Sequence, residues 1–409
     1  MEAAYGTEIP QYDTTGTSTK HPLGNGGYEI CIQGSSLEEL VAYVESLEKA
    51  GFLLYSAKSI SAGSKNSEDN IFYTYVGKDV NLYLSWNPGL ETARVIMTPE
   101  ELLPSKNIPQ VSAKDNVTAS VTQMQLDGVG MLYVVQLVDG SFIVIDGGTN
   151  TYDSDKERLY NYLCEKTTDT IPVIACWMFT HPDPDHIGLA ERFIKNYAGL
   201  VQIKAFAYNF ADESFTTNGT QDDAAITESI VRLESNMETY YPHALRYSIH
   251  AGQSYYYKGV EIEILQTEEE LFPNVGATWN DTSATWRMKF HTGQTALFLG
   301  DSMAVLCQQL EDTYGDYMKS DMLQLAHHGL IGGDLELYKY INPDICFWST
   351  TEERFNGTYS GYDHQYCLGE GGCTYNAYLR DESIKERIHY HNGQMGVVNL
   401  KADGTTEAE

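Results

Sequence analysis

The stretch Thr180-His181-Pro182-Asp183-Pro184-Asp185-His186-Ile187-Gly188 packs two histidines and two aspartates into six residues, directly after the apolar run Ile174-Ala175-Cys176-Trp177-Met178-Phe179. Imidazole nitrogens and carboxylate oxygens are ligands for Zn, Mn or Fe, and the end of a buried strand is a rigid place to mount them. Pro182 and Pro184 lack an N–H and fix φ, so the sequence predicts a stiff, extended loop. In that form His181, Asp183 and Asp185 project together and His186 turns to the other side. Two further apolar strands end in the same residue types. Ala296-Leu297-Phe298-Leu299 runs into Gly300-Asp301, and Met322 to Ala326 runs into His327-His328-Gly329. Three such strand ends can meet at one sheet edge, whereas an ordinary polar turn does not recur in this way. The candidate metal ligands are therefore His181, Asp183, Asp185, His186, Asp301, His327 and His328.

Positioning these residues requires strands with helices between them. Ser120 to Leu126, Met131 to Val138 and Ser141 to Ile145 read as strands, the last two joined at Val138-Asp139-Gly140 as a hairpin. Helices are expected at Lys156 to Cys164, Leu189 to Tyr197, Asp222 to Glu238 and Tyr378 to Glu386. The remaining strands are Val260 to Leu265, Trp286 to Phe290, Ile345 to Trp348 and Gly396 to Leu400. This alternation over residues 118–402 implies two sheets packed face to face with helices outside. Residues 211–250 are acidic and polar and read as an insertion or lid. Upstream, Tyr28 to Ile32 alternates as a strand, and Ser36-Leu37-Glu38-Glu39 is a capping box opening a helix that Gly51 stops. Strand-like runs at Phe52 to Ala57, Ile71 to Val76, Val80 to Trp86 and Ala93 to Met97 complete a small α+β domain over residues 27–100. It carries no ionisable cluster, and scaffolding, cleft walling or oligomer contact are its expected uses. Residues 1–26, Thr-, Gly- and Pro-rich, read as a flexible arm, and residues 101–117, with Pro104 and Pro109, as a linker.

The chain has 409 residues, 42% of them hydrophobic, enough for more than one domain and a sizeable core. With 57 acidic against 26 basic residues its net charge is −31, a field that repels long nucleic acid and anionic membranes. No apolar run reaches the ~18 residues of a spanning helix, and none follows Met1, so a cytoplasmic protein without a membrane segment is expected; a trimmed secretory signal fits the same sequence. Seven cysteines without CxxC pairs suggest buried thiols in a reducing compartment, although Cys367 and Cys373 are spaced to close a small loop. Among the remaining histidines, His243, His250 and His291 read as core or surface residues, His389 and His391 as structural strand residues, and His364 as a candidate for the mouth of the cleft. The thirty tyrosines, Tyr255-Tyr256-Tyr257 among them, read as half-buried strand residues and not as a base-stacking platform, because no basic groove accompanies them.

Taken together, Asp146-Gly147-Gly148, His181-Pro182-Asp183-Pro184-Asp185-His186-Ile187-Gly188, Asn280-Asp281-Thr282-Ser283, Leu299-Gly300-Asp301 and His327-His328-Gly329 resemble, in type and order, the motifs of the metallo-β-lactamase superfamily. The match is closest to its competence-protein (ComEC-like) branch and covers about residues 118–402. The resemblance implies an αββα sandwich of two mixed β-sheets and a site for one or two divalent ions, Zn²⁺ or Mn²⁺. It implies that His181 and Asp183 hold the first ion, that Asp185, His186 and one of His327 and His328 hold the second, and that Asp301 bridges. His328 is favoured as the ligand, with His327 facing the substrate, Asp185 orienting the nucleophile and Asp146 bracing the site from behind. The sequence departs from the family in two places. Asp183 stands where most members have a second histidine, and the third histidine is missing, with Asn280 or Asp281 as its possible substitute. Fewer nitrogens favour harder ions, which brings Mn²⁺ into competition with Zn²⁺.

The function expected on this basis is hydrolysis of a phosphodiester or related phosphate ester of small size by a metal-activated water. A lactone, thioester or amide hydrolase using the same site, and a non-catalytic metal-binding regulatory protein, are the competing classes. Arg192, Arg287 and Lys289 are the basic residues nearest the motifs, and a basic pair at the cleft would favour phosphate. Oligomeric state is not legible.

Overall fold

The computed structural model describes residues 2–4, 7–23, 26–211, 223–274, 278–358 and 374–409. The larger unit is built on two mixed sheets. In the first, the strand order runs from Leu245–Ser248 through Ala205–Tyr208, Val173–Met178, Phe142–Ile145, Tyr133–Gln136 and Ser120–Gln123 to Gly396–Leu400 and Thr406–Ala408. In the second it runs Ser254–Tyr257, Val260–Gln266, Thr285–Phe290, Thr295–Phe298, Met322–Gln324, Ile345–Trp348, Ile388–His391. In each sheet, antiparallel pairs give way to parallel ones joined through helices.

Period-two alternation explains the layering. Ile143, Ile145, Cys176 and Met178 from the first sheet face Ile262, Trp286, Met288, Phe298 and Phe347 from the second in one buried cluster. Their neighbours Phe142, Val144, Ile174 and Trp177 face outward, onto helices α2 (Asp153–Lys166), α3 (Pro184–Asn196) and α4 (Asp223–Tyr240). Leu297, Leu299, Leu323, Cys346 and Trp348 likewise face α5 (Ala304–Tyr314) and α6 (Leu335–Ile341). The result is the expected αββα sandwich, and its strand ends at Met178, Phe298 and Gln324 lead into the three turns that carry the candidate ligands.

The small domain is a six-stranded antiparallel sheet with one helix, α1 (Leu37–Lys49), on its face. Here the structure corrects the expectation of a flexible arm. Thr17–Pro22 is a full strand paired antiparallel to Tyr28–Gln33, and Ile9 and Tyr12 are buried with Leu40 and Tyr43. An open edge of unpaired N–H and C=O groups at Tyr28–Gln33 is what those threonines satisfy. Two more expectations fail. Residues 378–386 are turns and not a helix, because the buried Arg387 guanidinium draws the carbonyls of Tyr378, Leu379, Lys385 and Pro343 onto one donor group. The closing sheet also extends past residue 402, through the hairpin partner Thr406–Ala408. Residues 101–117 carry no helix or strand. No helix among the described residues is long and apolar enough to cross a membrane. Cys31, Cys164, Cys176, Cys307 and Cys346 are free thiols, whereas Cys367, Cys373 and His364 lie outside the described residues.

The two units share buried polar contacts. Arg94, in the small domain, donates to Glu29 at 2.6 Å and to the carbonyls of Glu269, Glu270 and Phe272 in the larger unit. His250 lies between Glu269 (2.9 Å) and Glu101 (3.1 Å) and stacks on Tyr83. Burial opposes a charge on His250, but the two carboxylates outweigh it and raise its pKa to about 10. A histidine raised in this way stabilises the fold fully below its unfolded pKa of about 6.5, and the contribution is lost as pH rises toward the folded value. Between pH 7 and 10, urea melts of the wild type are expected to lose stability faster than those of His250→Gln; parallel pH profiles would refute the assignment.

Candidate metal centre

Asp146 ends the strand Phe142–Ile145 in the left-handed region (φ +54°), fully buried. Its carboxylate accepts from the Thr180 N–H and hydroxyl, each at 2.7 Å, and lies 2.6 Å from His186 Nδ1. Carboxylates accept, so His186 donates from Nδ1, and Nε2 is the nitrogen left to face the cluster. Gly147 N–H donates to the His186 carbonyl, and a Cβ at Gly147 would come within 2.5 Å of Ala190 Cβ. The Asp-Gly step thus docks the first turn of α3 directly against the strand end.

That first turn overturns the expected extended loop. Asp183 is the N-cap residue and Pro184 the first residue of α3, so Asp185 and His186 are already helical. Proline suits this place because its fixed φ is helical and its missing N–H would have had no partner. The turn sends His186 inward beside Asp185 and not to the opposite side. The Asp183 carbonyl accepts from the His186 and Ile187 N–H groups, while its side chain makes no capping bond.

The other two strand ends are held as tightly. Gln324 Oε1 accepts from the N–H groups of Leu299 and Gly300, both at 2.8 Å, and its Nε2 donates to the Gly300 carbonyl. Ser283 Oγ accepts from the Asp301 N–H at 2.9 Å. Gly300 (φ +56°) leaves a Cβ only 2.9 Å from Thr180 Cβ, so no side chain fits there without movement. His327 and His328 both adopt left-handed backbone, φ +47° and +58°. Such residues cost about 1–3 kcal/mol each and persist only where the surrounding structure over-determines them. His328 Nδ1 donates to the Ser349 carbonyl at 2.9 Å, leaving Nε2 free toward Asp185 (3.0 Å) and Asp301 (3.1 Å). His327 Nδ1 donates to the Ile331 carbonyl at 2.6 Å, and its Nε2 is 3.4 Å from Asn280 Nδ2.

Two groups converge. The ligand atoms of Asp185, His186 and His328 lie within 4.8 Å of one another, as do those of His181, His186 and Asp301. His186 Nε2 is 3.3 Å from Asp301 Oδ2. His181 Nε2 lies 3.1 Å from Asn280 Oδ1 and 3.5 Å from Asp183 Oδ2. Of the two possible substitutes for the missing histidine, Asn280 faces the cluster, while the Asp281 carboxylate accepts from the Thr278 N–H and caps its own turn. The donor set fits a divalent ion. His186 Nε2, Asp301 Oδ1 and Asp183 Oδ1 are buried yet without a hydrogen-bond partner, which is costly unless a cation uses their lone pairs.

Electrostatics agree. Burial works against charge on His186 and His328, but Asp301 with Asp146 raises the first well above the ordinary range, and Asp301 with Asp185 raises the second to about 10. Burial would raise Asp301, but His186 and His328 hold it well below the usual carboxylate range. Burial lowers His327, only partly offset by Asp301.

Sequence reasoning passed over Gln324, Thr180 and Ser349, which hydrogen-bond the candidate ligands or the turns that carry them. Gln324 had a signal: it is the one polar residue inside Met322-Leu323-Gln324-Leu325. Arg192, Arg287 and Lys289 are not brought to the cluster. Arg192 pairs with Asp153, Arg287 donates to the Lys319 carbonyl, and Lys289 pairs with Glu263 and Tyr317.

No protein-family model matches the chain, and no curated protein matches it. Among solved structures it is similar to the metallo-β-lactamase fold protein YhfI from Bacillus subtilis, at 14% identity and a TM-score of 0.41 over 68% of this chain and 99% of that one. It is similar to a metallo-β-lactamase from Cronobacter sakazakii at 14% identity and a TM-score of 0.32, over 67% of this chain and 96% of that one. Unliganded yeast PDE1 is a third, at 8% identity and a TM-score of 0.40, over 67% and 98%. Likeness at this level says nothing of substrate or metal.

Asp146→Asn keeps the shape and the left-handed backbone but removes the charge behind His186. Zn²⁺ affinity is expected to fall about 10–100-fold, read by competition with a chromophoric chelator. Metal must also displace the proton from His328, so apparent affinity is expected to rise with pH by about tenfold per unit for each proton released, up toward pH 10. A flat profile between pH 6 and 9 would contradict this charge arrangement.

Proposed function

We propose that the chain is a metal-dependent hydrolase acting on a phosphodiester or related phosphate ester. The observation that carries this is the convergence of Asp185, His186 and His328 with Asp301, where two imidazoles are each fixed from behind so that Nε2 faces inward. A divalent ion in such a set supplies Lewis acidity and lowers the pKa of water. The ComEC-like resemblance of the motifs favours phosphodiester chemistry within this class.

The chain's own groups divide the remaining work. Asp185, one-third exposed, orients the attacking water by accepting its hydrogen bond. His327 faces the substrate; with Nδ1 committed to Ile331, its Nε2 is the nitrogen that exchanges protons. Its lowered pKa keeps it unprotonated near neutrality, ready to take the water's proton as oxygen attacks phosphorus. The P–O bond to the alcohol then breaks, and that proton passes to the leaving oxygen. A diester carries one negative charge and a monoester two, and Arg192, Arg287 and Lys289 are all engaged elsewhere. A singly charged diester therefore suits the site better than a monoester. The engagement of these three basic side chains elsewhere also favours a second reading, a lactone, thioester or amide hydrolase.

Hydrolysis of bis(p-nitrophenyl) phosphate with added Mn²⁺ or Zn²⁺ is expected to exceed that of the monoester. His186→Ala and Asp301→Ala are expected to abolish it, with loss of bound metal and a folded far-UV spectrum. Full turnover in either variant would disprove the assignment, and turnover of lactones or thioesters alone would select the second reading.

A further inference from the structure

The two converging groups share His186, and that histidine has only one lone pair to give, because Nδ1 is committed to Asp146 at 2.6 Å. The cluster therefore divides unevenly. Asp185 Oδ2, His328 Nε2, Asp301 Oδ2 and His186 Nε2 follow one another as a run of two oxygens and two nitrogens, with successive atoms 3.0, 3.1 and 3.3 Å apart. On the other side of Asp301, one nitrogen remains, His181 Nε2. Around it stand Asn280 Oδ1 at 3.1 Å, Asp183 Oδ2 at 3.5 Å and the second Asp301 oxygen, buried and without a hydrogen-bond partner.

We propose that the cleft has two unequal cation positions, and that Asn280 supplies a neutral carboxamide oxygen to the second. This deepens the hydrolase reading and rests on its metal-binding premise. The first position, with two imidazoles, suits Zn²⁺. The second, with one nitrogen and three oxygens, suits a harder ion such as Mn²⁺. It binds more weakly for two reasons: its only unshared charge is Asp183, which is partly exposed, and Asn280 brings a dipole instead of a charge. Asn280 can serve because its turn is built for it. Asp281 caps the turn and Trp279 is buried in a core cluster, which leaves residue 280 facing His181 and His327.

The test is metal stoichiometry of the full chain by native mass spectrometry, with Mn²⁺ electron paramagnetic resonance as a second readout. After dialysis the wild type is expected to keep one Zn²⁺ and to take up Mn²⁺ only in excess free metal, with ¹⁴N coupling from a single imidazole. Asn280→Ala is expected to weaken the second ion by about 10–100-fold, the range for loss of a single supporting group, and to leave the first unchanged. Asn280→His is expected to make the second position retain Zn²⁺ through dialysis. Two ions of equal affinity in the wild type, or Mn²⁺ uptake unaffected by Asn280→Ala, would overturn the proposal. A single ion under every condition, in wild type and variant alike, would overturn the second position while leaving the hydrolase reading intact. No ion at all would remove both.

Discussion

The contact between Asp146 and His186 is the constraint on which the rest of the site depends. One buried carboxylate receives three donors: an imidazole N–H, a hydroxyl and a backbone N–H. The ties join three elements, since Asp146 ends one strand, Thr180 follows the next and His186 opens α3. Neutral hydrogen bonds contribute about 0.5–1.5 kcal/mol, those to a charge about 1.5–3, and leaving such a group bare is costlier still. The carboxylate therefore sets the imidazole's tautomer and the angle at which a helix leaves a sheet. Had the proton sat on Nε2, the same atoms would face inward with a donor where a cation needs a lone pair.

Charge is distributed to the same end. In a chain of net charge −31 the candidate acidic ligands lie in one cluster, where Asp301 raises the pKa of His186 and His328 and these in turn hold its own down. A divalent ion would concentrate positive charge there, and the three buried atoms without a hydrogen-bond partner fit a cation better than a structural ion-pair network. The basic residues near the motifs are spent on Asp153, Glu263 and backbone carbonyls. Among the described residues, these three basic side chains offer no free charge to the cluster, which disfavours a highly anionic ligand there.

Much of the sandwich was legible because its signals are local. Apolar strands ending in Asp146, Asp301 and His327 alternate inward and outward as period-two reading requires. The ligand types were legible for the same reason. Details set by long-range partners were not. The turn at Pro184 reads as extended from proline's φ alone, but the same φ starts a helix once Gly147 and Ala190 bring the strand end against it. Periodicity suggests a helix over 378–386, yet nothing local reveals that Arg387 will gather the carbonyls there. Thr17–Pro22 looks polar and loose until the unpaired edge of Tyr28–Gln33 is known. Choosing Asn280 over Asp281 required the capping bond that occupies Asp281.

The same long-range logic ties the small domain to the segment that carries Asn280. Arg94 holds the carbonyls of Glu269, Glu270 and Phe272, so the turn Glu268–Leu271 is anchored from outside the sandwich. Leu271 and Trp279 are buried in one cluster with Tyr83 and Ile96 of the small domain, and Trp279 is the residue next to Asn280. The buried guanidinium is matched by Glu29, whose own pKa burial raises to about 8 despite Arg94. Buried pairs of this kind add little net stability over apolar packing but make a broken pair expensive. The contact therefore fixes one relative position of the two units more than it strengthens either. The position of Trp279, next to Asn280, is thereby set in part by packing against the small domain.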